Sequence, residues 1–284
     1  MKKKPEWIKL KIKGSKNQDG VEKVLKTMRL NTVCQAANCP NKMECYEMRT
    51  ATFMIMGNVC TRNCKFCNVE TKRPAALDSE EPLHVAEAVK TLGLKHAVLT
   101  SPDRDDLEDE GAGHFRDCIR KIREINENTT VEVLIPDFHA SHKLLDIVLD
   151  EKPEVLNHNM ETVKELHKEI CPQSNYENSI EVLRYAKEKG LVTKSGIMVG
   201  LGETFDQVVG LMKDLREIDC DMLTIGQYLQ PSTKHMEVVE YITPDTFKEY
   251  KRIGLELGFK RVESSPFVRS SYHASALNED EISD

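Results

Sequence analysis

Three cysteines share one short loop, Cys60-Thr61-Arg62-Asn63-Cys64-Lys65-Phe66-Cys67. Thiolates are the usual ligands of a 4Fe–4S cube, which has one iron for each of four ligands. Three thiolates leave one iron open to a substrate or cosubstrate, much as a catalytic zinc keeps one position free. A fully capped cluster passes electrons; an open one can do chemistry. The competing reading is zinc, whose ligands come as short-spaced pairs with a second pair further on. Here the cysteines form a triplet, and no matching His pair follows. A second triplet, Cys34, Cys39 and Cys45, lies upstream at wider spacing, with Asn38 and Pro40 as turn residues around Cys39. Two such triplets point to two 4Fe–4S clusters, the second needing a fourth ligand from elsewhere in the chain.

The elements that must position these loops show in the hydrophobic pattern. From residue 51 onward, short apolar runs alternate with longer helical ones. The pattern predicts strands at Thr52–Met56, Ala97–Thr100, Val131–Ile135, Val155–Asn157, Lys194–Val199 and Met222–Ile225. It predicts helices at Leu83–Leu92, His114–Asn126, Leu144–Leu149, Ile180–Lys189 and Val208–Ile218. Pro82 suits a first helical turn and Gly190 a helix stop. Strands alternating with helices imply βαβ units and a parallel sheet, and about six of them suit a partial barrel. The cysteine loop directly follows the first strand, at the carboxyl end where barrel chemistry sits. Residues 1–50 read as an N-terminal extension carrying the second triplet, 51–257 as the barrel, and 258–284 as a C-terminal extension.

Composition excludes other classes. A net charge of -7, with no dense basic stripe beyond the N-terminal lysines, argues against nucleic acid as a partner. No apolar run approaches the ~20 residues of a membrane helix, and the N-terminal lysines lack the apolar run of a secretory signal. Of nine cysteines in 284 residues, the six packed between residues 34 and 67 read as metal ligands in a reducing, cytoplasmic setting rather than as disulfides. Cys118, Cys171 and Cys220 are isolated and read as buried thiols.

Several polar residues fall at strand ends. Asn157, His158 and Asn159 close the fourth strand and read as site residues. Gly200-Leu201-Gly202-Glu203 follows a strand and opens a helix; it lets backbone approach a ligand or simply makes a tight turn. It lacks the third glycine of a dinucleotide fingerprint. Asp103, Arg104, Asp105 and Asp106 follow the second strand, where ligand contact, helix capping and solvated charge are all open readings.

The spacing Cys-x-x-x-Cys-x-x-Cys with Phe66 before the last thiol resembles the signature of the radical S-adenosylmethionine (SAM) superfamily. From Thr32 to Ala274 the chain resembles lipoyl synthases in particular. Asn38-Cys39-Pro40-Asn41, Ala51-Thr52-Phe53-Met54-Ile55 and Arg104-Asp105-Asp106-Leu107 carry the likeness. Asn157 to Val163, Ser195 to Thr204, Leu223 to Ser232 and Arg269-Ser270-Ser271-Tyr272-His273-Ala274 continue it in order. The resemblance implies an α/β fold, a partial (β/α)6 TIM-like barrel of the radical SAM type with N- and C-terminal extensions. It implies a sulfurtransferase that inserts two sulfur atoms at C6 and C8 of a protein-bound octanoyl chain, making the lipoyl cofactor. Cys60, Cys64 and Cys67 would hold the cluster that cleaves SAM to a 5′-deoxyadenosyl radical. Cys34, Cys39 and Cys45, with Ser270 (or its neighbour Ser271) on the fourth iron, would hold the cluster consumed as sulfur source. Asn157, His158, Asn159, Gly200, Gly202 and Glu203 would contact SAM.

The implied partners are octanoylated lipoyl domains of 2-oxoacid dehydrogenase acyltransferase subunits and the glycine cleavage H protein. A small redox protein would donate electrons and an iron–sulfur carrier protein would rebuild the spent cluster. The chain departs from the family pattern at Cys171 and Asn178, where arginines are common, and at Glu110 and Ser265, where glycines are. Two other readings compete. One is a radical SAM peptide-modifying enzyme whose second cluster relays electrons; the other is a two-cluster electron-transfer or scaffold protein. The terminal serine pair speaks against the first and the three-thiolate loop against the second.

Overall fold

The computed structural model describes residues 3–8, 18–36, 39, 41, 52–272 and 274. The chain divides into two compact units, one formed by Met1–Lys11, Asn63–Asn68 and Leu156–Ser270, the other by Ile12–Arg62, Val69–Val155 and Ser271–Asp284.

In the unit containing Cys60, four strands are neighbours in the order β1 (Asn31–Thr32), β2 (Thr52–Met54), β5 (His96–Thr100) and β6 (Thr130–Leu134). Strand β1 runs antiparallel to β2, while β2, β5 and β6 are parallel, with Thr100 opposite Met54 and Leu134. Every residue of β2 and β5 is buried, the pattern of parallel strands covered on both faces. The short strands β3 (Val59–Cys60) and β4 (Glu70–Thr71) pair with each other and close the base of the cysteine loop. The helix Glu81–Leu92 starts with Pro82 in its first turn, where the missing N–H costs nothing. It ends at Gly93, whose left-handed backbone returns its N–H to Lys90 and Val89.

In the other unit, β7 (Val155–Asn157), β8 (Val192–Val199), β9 (Met222–Gln227) and β10 (Arg261–Ser265) lie in that order. Strands β8, β9 and β10 are parallel, with Met222 opposite both Lys194 and Arg261. Ile197, Val199, Leu223 and Ile225 from these strands pack with Leu211 and Phe247 from the helices Phe205–Glu217 and Pro244–Glu256. Thr204 and Gln207 form a reciprocal capping box at the first helix, and Thr243 with Pro244 starts the second. The helix Tyr176–Glu188 ends where the sequence predicts, with Gly190 at φ +84.

Asp221, 2% exposed, sits below β9 and accepts from Lys187, Lys260 and the Thr193 N–H. Burial alone would raise its carboxyl, but the hydrogen bonds from both lysines hold it below the ordinary 3.8. A carboxyl depressed on folding stabilises above its unfolded value and loses that contribution as pH falls through the folded one. Asp221→Ala should therefore lower stability by about 3 kcal/mol near neutral pH, the low end for a broken buried pair since both lysines reach solvent. The gap to the parent should narrow as the pH drops below 3.8; urea midpoints at neutral and acid pH check both statements.

The predicted strands and helices all exist, with ends shifted by a few residues. Among the further elements, three carry no usable pattern. Strand Arg261–Ser265 buries only Val262, and the helices Lys164–Ile170 and Pro244–Glu256 mix charge into nearly every turn. Among the described residues, no helix is long and apolar enough to cross a membrane.

Candidate active site

Cys60 ends β3 and is buried. Its thiol donates to Asp103 Oδ2 at 3.5 Å, and its sulfur accepts the Arg62 N–H at 3.4 Å. Burial first, and then the Asp103 charge, push the metal-free thiol up to about 12. The loop backbone is fixed around it: Lys72 N–H donates to Cys60 O, and Thr71 Oγ1 donates to Arg62 O at 2.9 Å.

Cys64 and Cys67 are half-buried in the other unit, joined by a turn in which Cys67 N–H meets Cys64 O at 3.0 Å. Cys64 and Phe66 pack on an apolar cluster that includes Ile170, Leu201 and Tyr228. The segment after β9 grips the same turn. His235 Nε2 donates to Cys67 O at 2.9 Å, which makes Nδ1 the acceptor for Ser232 Oγ, also at 2.9 Å. Met236 N–H reaches Lys65 O, and Tyr228 O–H donates to Met236 O at 2.7 Å. His235 was invisible as a site residue in the sequence, because a lone histidine three residues beyond Ser232 has no diagnostic spacing.

The polar strand end Asn157–Asn159 is buried or nearly so. His158 Nε2 lies 3.0 Å from Ser179 Oγ, and Ser195 Oγ donates to His158 O at 2.9 Å. Asn159 Nδ2 donates to Glu161, while its Oδ1 is buried with no partner. Beside it, a Cβ at Gly196 would stand 2.8 Å from Asn159 Oδ1 and 2.5 Å from Thr224 Oγ1, so these polar atoms close on a backbone that has room only for glycine. Glu203 turns its carboxylate back on its own loop, accepting from Gly200 N–H at 2.5 Å and Leu201 N–H at 2.9 Å. Burial raises that carboxyl above its ordinary 4.5. Gly200, at φ +95, has Glu240 O only 2.4 Å from where its Cβ would stand, so the turn demands glycine.

Of the second triplet, Cys34 is buried on the short helix Val33–Ala36 and Cys39 N–H donates to Cys34 O at 3.2 Å. Cys45 lies outside the described residues. Ser270 follows a segment seated on β9: Gln227 N–H donates to Pro266 O, and a Cβ at Gly226 would stand 2.1 Å from Val268 O. Cys118, Cys171 and Cys220 are buried, as expected of core thiols. Glu110, where the family tends to carry glycine, adopts φ +50 and bonds His139 Nδ1 at 2.8 Å.

Comparison with known proteins places this arrangement. The family model described as "Radical SAM superfamily" matches residues 54–215. The chain also resembles the solved coproporphyrinogen III oxidase of Escherichia coli, a radical SAM enzyme, at TM-score 0.54 and 15% identity, covering 72% of this chain and 52% of that one. The SAM-bound SuiB of Streptococcus suis gives TM-score 0.62 at 10% identity, covering 88% of this chain and 63% of that one. Those two likenesses concern the fold, which is α/β with parallel strands, of the radical SAM type.

Curated relatives are much nearer in sequence. The lipoyl synthase of Caldanaerobacter subterraneus subsp. tengcongensis is 56% identical over 273 residues, 95% of either chain. That of Bacteroides fragilis is 51% identical over 271 residues, covering 95% of this chain and 94% of the relative. The chain belongs to the lipoyl synthase family. It is an enzyme of the radical SAM class, with the 4Fe–4S cluster and SAM which that class implies.

The donors present fit these groups. None of the three loop cysteines is in a disulfide, and a backbone N–H already points at one sulfur, the kind of contact that tunes iron–sulfur sites. The buried, unpartnered Asn159 Oδ1 suits a ligand with hydroxyl or amine donors, as SAM has.

Proposed function

We propose that the chain is a lipoyl synthase in residue roles as well as in family: it inserts sulfur at C6 and C8 of an octanoyl chain carried on a lipoyl-bearing protein. The observation carrying this is the pair of cysteine triplets joined to a terminal Arg269-Ser270-Ser271 in a chain so similar to lipoyl synthases. When bound, one 4Fe–4S cluster with SAM supplies hydrogen abstraction from an unactivated methylene, and a second 4Fe–4S cluster supplies the sulfur.

Cys60, Cys64 and Cys67 hold the first cluster; Cys34, Cys39, Cys45 and Ser270 hold the second. Serine is a hard, weakly acidic ligand beside three thiolates, which suits a cluster that must open. Asn157, His158 and Asn159 offer SAM a polar strand end. At the next strand end Gly200, Gly202 and Glu203 form the turn offered to SAM, the exposed Gly202 giving backbone access and Glu203 locking the turn. The buried Cys60 must lose its proton on cluster binding, since thiolates are the ligands.

In domain terms, 1–50 carries the second triplet, 51–257 the radical chemistry and 258–284 the serine ligand. The substrate proteins are octanoylated lipoyl domains of 2-oxoacid dehydrogenases and the glycine cleavage H protein. A small redox protein supplies electrons, an iron–sulfur carrier restores the spent cluster, and the setting is the cytoplasm. The test is anaerobic incubation of reconstituted protein with SAM, reductant and an octanoylated lipoyl-domain protein, followed by intact mass. The expected product gains two sulfur atoms. A carrier recovered unchanged while SAM is cleaved would reject the sulfur-insertion reading.

A further inference from the structure

The run Asp103-Arg104-Asp105-Asp106 after β5 was left open by the sequence, and none of the roles above uses it. Its contacts divide by parity. Asp103 and Asp105 face Arg62, the residue inside the cysteine motif, whose side chain is 2% exposed. Arg62 Nε lies 3.1 and 3.0 Å from the two Asp105 oxygens, and its Nη2 is 2.7 Å from Oδ1. Its Nη1 lies 3.4 Å from Asp103 Oδ1 and 2.9 Å from Asp137 Oδ1, Asp137 being the residue that follows β6 by three. Thr61 adds a second grip: its N–H and Oγ1 donate to Asp103 O, at 3.1 and 3.0 Å, and Oγ1 lies 2.6 Å from Asp105 Oδ2.

The even members serve the start of the same loop. Arg104 is buried and pairs with Asp106 through two hydrogen bonds, at 2.8 and 3.0 Å. Two of its remaining donors reach Met56 O at 3.3 Å and Ala75 O at 3.0 Å. Met56 has φ +64, and Gly57 follows at φ +90, so the chain turns sharply out of β2 into the cysteine loop. The other side of Met56 is held too: its N–H donates to Glu81 Oε2 at 2.7 Å, and that oxygen also lies 2.7 Å from His114 Nε2. A non-glycine residue at positive φ persists where its surroundings over-determine it. Here both of its backbone groups are clamped by buried charge.

We propose that Asp103–Asp106 is the mount of the radical SAM cysteine loop and contacts no ligand. Arg62 and Arg104 are its positioning residues, holding the Cys60 sulfur and the Arg62 N–H that meets it before a cluster binds. The inference rests on the radical SAM reading of that loop. A ligand-binding role fits the contacts poorly, because both Asp105 oxygens and the Arg104 fork are already engaged within the fold. A guanidinium spans three carboxylates with a rigid fork; an ammonium cannot.

The test uses full-length protein with Cys34, Cys39 and Cys45 all replaced by Ala, so that bound iron reports the loop alone. Asp105→Asn, Arg62→Gln and Arg62→Lys are then reconstituted anaerobically beside that parent. Outer partners of metal ligands are commonly worth about 10- to 100-fold in retention. Asp105→Asn should therefore lose iron to a chelator about tenfold faster, with an altered EPR spectrum of the reduced cluster, while the metal-free protein still melts cooperatively. Arg62→Lys should fold yet stay as leaky as Asp105→Asn, since it keeps the charge without the fork. Should Arg62→Gln fail to fold, Asp105→Asn decides. Variants that fold, retain iron like the parent and give its EPR spectrum would overturn the mount. A parent that takes up no iron would overturn the reading of the loop itself, and the mount with it.

Discussion

Cys60→Ala is expected to abolish 5′-deoxyadenosine formation, by at least about a hundredfold, because losing a direct ligand should cost no less than losing an outer partner. The expectation follows from the way the loop supplies its donors. Of the three loop cysteines, Cys60 sits on β3 and the turn 64–67 carries the other two. Cys118, Cys171 and Cys220 are buried core thiols outside the loop. The fold should survive: the Arg62 and Arg104 clamps and the Lys72–Cys60 backbone bond do not use the sulfur. A melting temperature near that of the parent, with no 5′-deoxyadenosine by chromatography after incubation with SAM and dithionite, is the predicted pair of results. Persistent SAM cleavage by a folded variant would remove Cys60 from the site.

The same region shows what a sequence does and does not disclose. The strand before the loop was legible because Thr52–Met54 is apolar on both faces, and the loop because cysteine spacing is a local property. Gly190 and Pro82 marked helix ends through backbone constraints that need no partner. The holders of the loop were not legible. Arg62 differs from any surface arginine only by meeting Asp103, Asp105 and Asp137, which are 41 to 75 positions further along. His235 is chosen by the Cys67 carbonyl, a contact across 168 positions. Glu203 stands at a strand end and turns its oxygens onto the N–H groups of its own turn, a contact that residue type alone does not announce. Residues chosen by a distant backbone carbonyl or carboxylate leave no periodic trace.

The proposed division of labour between two clusters makes the second large prediction. Cys34→Ala should leave SAM cleavage at about the parental level per loop-bound iron, yet yield no sulfur-bearing product. Cys34 is buried beside the short β1–β2 pairing, and Cys39 is tied to it through the N–H to Cys34 O. On the proposed roles, removing this thiol takes one ligand from the second cluster while leaving every hydrogen bond described for Cys60, Cys64 and Cys67 in place. A small-for-small change at a single buried cysteine costs little packing, on the order of 1 kcal/mol, so misfolding should not cloud the result. The discriminating measurement is the ratio of 5′-deoxyadenosine to product on an octanoylated carrier, with iron counted per chain. If the second cluster merely relayed electrons, SAM cleavage would fall together with product and the ratio would hold. If it donates its sulfur, the ratio should rise without limit as product vanishes. Sulfur insertion by the variant at the parental rate would defeat the donor role, whatever its iron content.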